Sequence, residues 1–158
     1  MAYKNDKYFT LYRSNFCAQG GVTHAFPAFN ASESISKYFA NMEIALGGYY
    51  AEKLIFKEIS GGSETDLEDV RSMAATLVNR KGYIQPYLTL PNSSHAREET
   101  QAKREINEHY QKRIWKQAMR SSKRYINTVK TQIVELANLM CEKGFIKLND
   151  VDTVMASH

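Results

Sequence analysis

A chain of 158 residues with 43% hydrophobic and 24% charged residues has the balance of a folded globular protein, which excludes disordered and fibrous classes. The longest apolar stretch, Ile44 to Ala51, falls far short of the roughly 20 residues that span a bilayer, and no apolar segment follows the basic N-terminus as a secretory leader requires. No membrane span is expected, and the cytoplasm is the expected location. The formal net charge is +4, and seven Lys or Arg with no acid lie between Gln111 and Lys130, which reads either as an anion-binding face or as a solvated helix flank.

Residues 1–30 form a β-rich segment: aromatic and β-branched residues from Tyr8 to Phe29, broken by Gly20-Gly21 and Pro27, predict one or two short strands. Residues 31–82 carry two central helices. In the first, from Ser32 to Lys57, Ile35, Phe39, Met42, Leu46, Tyr49 and Phe56 recur mostly at three- and four-residue steps, with Asn30 and Glu33 as a capping pair. Gly47-Gly48 inside it points to close packing against another element. After Ser60-Gly61-Gly62, a second helix presents Leu67, Val70, Ala74 and Leu77 on one face and is expected to end at Gly82.

Residues 83–96, with Pro86 and Pro91, read as a loop. Residues 97–158 read as C-terminal helices. A stripe runs through Ile106, Tyr110, Ile114, Ala118, Ser121, Tyr125, Val129, Ile133, Leu136 and Met140, with breaks allowed at Ser121-Ser122 or Asn127-Thr128. Gly144 closes it, and Asn149 is expected to cap a last short helix through Met155.

Phosphate-loop and dinucleotide fingerprints are absent, and none of His24, His95, His109 and His158 has a second His four residues away, as a helical zinc pair needs. Cys17 and Cys141 match no metal or redox spacing and read as two reduced thiols. Catalytic residues are therefore not assigned. Asp66, three residues after Ser63, suits a helix N-terminus, where a carboxylate satisfies free amides and the dipole.

Two segments carry a resemblance: Ala45-Leu46-Gly47-Gly48-Tyr49-Tyr50-Ala51-Glu52-Lys53-Leu54-Ile55-Phe56 and Gly62-Ser63-Glu64-Thr65-Asp66-Leu67. In order and spacing they resemble Leu-Gly-Gly-Arg-Ala-Ala-Glu-Glu-Leu-Ile-Phe and Gly-Ala-Ser-Asn-Asp-Leu of the peptidase domain of FtsH-type AAA+ zinc proteases. Gly21-Val22-Thr23 is similar to the family's edge strand, and residues 106–118 and 136–154 to its C-terminal helices. Tyr49 and Thr65 depart from the family's usual Arg and Asn.

The resemblance implies an α+β, mainly α, fold in a single domain over residues 1–158. It makes Asp66 the counterpart of the third zinc ligand and places Val22 and Thr23 on a strand that could receive substrate. The family's His-Glu-x-x-His, which supplies two ligands and the general base, would lie upstream of Tyr8. The expectation is a non-catalytic relative starting at Met1. The alternative is that a longer protein or a partner supplies those ligands, and with them zinc; no cofactor is expected in this chain itself. His24 beside the edge strand is read as an ordinary histidine. The expected partner is protein, including further copies of the chain, because the fold it resembles packs in a ring. Nucleic acid is disfavoured, since Tyr110 and Tyr125 fall on the apolar stripe and not beside the charges.

Overall fold

The computed structural model describes Lys4 and residues 9–17, 20–27, 34–59, 61–79 and 101–157, with side chains described outside 9–27 and residue 102. It is mainly helical, with a three-stranded sheet, and divides into two compact units: residues 1–32 with 124–158, and residues 33–123. The loop at 83–96, Gly82, and the Asn30 and Glu33 cap lie outside the described residues.

In the first unit β1 (Phe9–Cys17) pairs antiparallel with β2 (Gly20–Pro27), with an irregularity between Leu11 and Arg13. A third strand, β3 (Phe145–Lys147), pairs antiparallel with the other side of β1, giving the order β2-β1-β3. Sequence reading missed β3, because three residues are too few to show a period of two. Ile146 and Val151 are buried, and Leu136, Leu139, Met140, Leu148 and Met155 pack against them.

Those side chains come from β3 and two helices, α4 (Lys130–Lys143) and α5 (Leu148–Ala156). Gly144 closes α4 as expected: it sits at φ 74°, and its N–H donates to the Met140 carbonyl at 2.8 Å, the left-handed cap that favours glycine. Asn149, expected as the cap of the last helix, instead lies inside α5. The cap is made at Lys147, whose backbone N–H donates to the Asp150 carboxylate at 2.9 Å. Asp150 also accepts from Lys143 Nζ at 2.7 Å, and these two bonds hold its carboxyl below the usual carboxylate range.

In the second unit α1 (Ile35–Ile55) packs against α2 (Ser63–Asn79). Ser34 caps α1, its hydroxyl accepting from Lys37 N at 3.2 Å. Met42, Leu46, Val70, Leu77 and Val78 are fully buried. Phe56, expected in the stripe, is 71% exposed, because α1 ends at Ile55 and the periodicity that would have turned it inward ends there too.

The long helix α3 (Gln101–Thr128) contributes Ile114, Ala118 and Ser122 to buried positions. Ile106 is exposed, contrary to the expected stripe, and Asn107 takes the buried place. Ser121-Ser122 does not break the helix. The break falls at Val129, just after Thr128, whose hydroxyl donates to the Tyr125 carbonyl at 2.7 Å alongside the Val129 N–H at 3.1 Å.

Candidate functional site

The two segments that carry the family resemblance meet where α1 faces α2. Gly48 and Glu52 lie one turn apart on α1; Ser63 and Asp66 lie in the first turn of α2. The Ser63 hydroxyl, buried, donates to Glu52 Oε2 at 3.1 Å. Asp66 Oδ2 lies 3.9 Å from the position a Cβ on Gly48 would take. That is ordinary van der Waals contact, so close helix approach does not account for glycine at 48, contrary to the packing reading; Gly47 beside it is buried.

The electrostatics of this corner are acidic. The Asp66 carboxyl is pushed above its ordinary value of 3.8, first by burial, then by Asp69 and by Glu52. The positive end of the α2 dipole acts in the opposite direction. Ser63 opens α2 and spends its hydroxyl on Glu52. Glu52 and Ser63 are neighbours of Asp66 whose pairing sequence reading did not single out, because partners eleven positions apart across a turn leave no local signal.

The raised Asp66 value has a definite consequence for stability. Its folded carboxyl holds a proton more firmly than the unfolded one, so its contribution is complete below 3.8 and is lost as pH rises through the folded value. Asp66→Asn cannot ionise and is expected to remove that loss. Thermal melts recorded from about pH 3 to about pH 7 should show the variant melting at or above the native protein near neutrality, the two converging in acid. A variant melting clearly lower at neutrality would mean that the helix dipole dominates.

Among the described residues no group of three or more His, Cys, Asp and Glu side chains comes together that could hold a metal ion. The charged neighbours acting on Asp66 are carboxylates and not the imidazoles a family zinc centre uses. The described donor set does not fit a complete zinc site, and no catalytic step is derived through one.

Val22 and Thr23 lie on β2, opposite Asn15 and Ser14 of β1, and β2 is an edge of the described sheet. The side chains of His24 and Cys17 lie outside the described residues, as do His95 and His158. His109 is exposed on α3, its ring 5.7 Å from that of Tyr110. Cys141 is a free, exposed thiol. Lys112, Arg113, Lys116, Arg120 and Lys123 are all exposed along α3.

The family model described as peptidase family M41 matches residues 13–154, nearly the whole chain. The chain belongs to peptidase family M41. It is also 39% identical over 66 residues to the ATP-dependent zinc metalloprotease FtsH of Veillonella parvula, a stretch that is 41% of this chain and 10% of that protein. The chain thus spans about a tenth of the length of the curated relative it matches. This M41 chain has no helix, among its described residues, long and apolar enough to cross a membrane.

Proposed function

We propose that this M41 peptidase-type chain does not hydrolyse peptides by itself and works as a protein-interaction and assembly module, with protein, including further copies of itself, as its partner. The observation that carries this reading is the donor set at Asp66, the residue that the resemblance makes the counterpart of the family's third ligand: among the described residues no group of three or more His, Cys, Asp and Glu side chains comes together there that could hold a metal ion. Zinc hydrolysis needs about three protein ligands to fix the metal and acidify its water. Zinc would enter only where a longer protein or another subunit supplies the remaining ligands to Asp66. The β2 edge at Val22 and Thr23 would then be the place where an extended segment adds as a strand.

The cytoplasm remains the proposed location, and residues 1–158 are proposed to act as one family domain. A nucleic-acid role is the weaker reading. The basic flank of α3 offers charge, but Tyr110 and Tyr125 are half-buried on the apolar stripe, so neither offers an open stacking platform beside the charges.

Incubation of the purified chain with unfolded casein, with and without added zinc, tests the proposal. No cleavage is expected in either case. Cleavage that a chelator abolishes, in a preparation free of contaminating protease, would overturn it.

A further inference from the structure

Away from the Asp66 corner, the second unit holds a groove of about 240 Å³ between α2 and α3, lined by Arg71, Ala74, Glu108, Gln111, Lys112 and Trp115. The spacing explains why these residues meet. Arg71 and Ala74 are three apart on α2, while Glu108, Gln111, Lys112 and Trp115 lie at three-, four- and seven-residue steps on one face of α3. Ala74 and the indole make an apolar floor. The Arg71 guanidinium stands over the Trp115 ring, its central carbon 5.2 Å from the ring centre.

Charge at the mouth is net positive. Among the described lining residues Arg71 and Lys112 face one acid, Glu108, and the Lys112–Glu108 pair is exposed at 3.5 Å, an interaction worth little in water. Trp115 Nε1 is buried and has no hydrogen-bond partner among the described residues, whereas a buried indole N–H ordinarily finds one. Gln111 is fixed by donating to Asn79 Oδ1 at 3.4 Å. The groove therefore combines an apolar floor with two cations at its rim.

The volume lies below the roughly 300–1,000 Å³ of drug-sized ligand pockets, so it suits a single side chain. We propose that this groove binds the C-terminal residue of a peptide. Its apolar side chain lies on Ala74 and Trp115, and its carboxylate meets the Arg71 guanidinium, with Lys112 adding charge. Arginine presents a planar fork that matches a carboxylate, and a peptide terminus supplies carboxylate and apolar side chain within one residue. The site is independent of any zinc chemistry, so its test does not stand or fall with the peptidase assay.

Trp115 is the single tryptophan of the chain, so its fluorescence reports the groove directly. The purified chain is titrated with acetyl-Ala-Ala-Leu, with the same peptide as its C-terminal amide, with 4-methylpentanoate and with a uridine tetranucleotide. A saturable change is expected with the free-acid peptide, about tenfold weaker with the amide, in keeping with loss of a charge-assisted bond. Arg71→Gln is expected to weaken it by about tenfold as well. Arg71 is exposed, so that variant should fold; if it does not, Lys112→Gln is read in its place and should weaken binding too. No saturable change up to about 10 mM overturns the proposal, and so does equal binding of the amide. Equal binding of 4-methylpentanoate overturns the assignment to a peptide terminus, and tighter binding of the tetranucleotide overturns it in favour of nucleic acid.

Discussion

Leu77→Ala is expected to lower the unfolding free energy by about 2–5 kcal/mol, the range for a large-to-small change at a buried site that cannot collapse. Leu77 is fully buried, as are Met42, Leu46 and Val70. The loss combines the transfer of the removed carbons with the cavity left behind. Urea unfolding followed by circular dichroism measures it as a lower midpoint at unchanged slope. Phe56→Ala is the matched control. Phe56 is 71% exposed at the end of α1, and its truncation is expected to stay within about 0.5 kcal/mol. Equal losses at the two positions would contradict the boundary of α1 and the core assigned to its face.

The second large effect is expected at Glu43. This carboxylate is 8% exposed and accepts a hydrogen bond from the Ser121 hydroxyl, linking α1 to α3. Glu43→Ala removes the acceptor and leaves a hydroxyl to find another partner, at a cost of about 1–3 kcal/mol. Glu43→Gln keeps a carbonyl oxygen in reach and is expected to recover more than half of that loss. The same urea measurement decides. A Gln variant as unstable as the Ala variant would mean that the charge, and not the hydrogen bond, holds the two helices.

These two positions also mark what could be read from sequence. Leu77, Val70 and Ala74 were legible because an apolar stripe at helical spacing needs only one element to be visible. Glu43 was not, since its partner lies 78 positions away and a lone Glu in a helix reads as a solvated surface residue. The same contact explains why Ser121-Ser122, weak helix formers, continue α3: a tertiary hydrogen bond outweighs their propensity, while the helix ends at Thr128, whose hydroxyl donates to the Tyr125 carbonyl. Asn149 has a residue type that favours a cap, yet the carboxylate of Asp150 is what reaches the Lys147 N–H.

At the site, Asp66 was found through the family resemblance and not through its spacing, which fits an ordinary capping residue equally well. Its partners Glu52 and Ser63 lie within the segments that carry the resemblance, but only folding brings them together. Arg71 and Trp115 were invisible as a pair for the same reason: each belongs to a different helix, and the groove exists only where α2 and α3 meet.

The metal content of the native chain tests the central claim most directly. After dialysis at neutral pH against metal-free buffer, elemental analysis is expected to find zinc well below one equivalent per chain, because among the described residues no three donor side chains come together at Asp66, and fewer than three ligands hold the ion too weakly. Zinc retained near one equivalent, and released by Asp66→Asn, would contradict the account and establish a complete metal centre built on that residue.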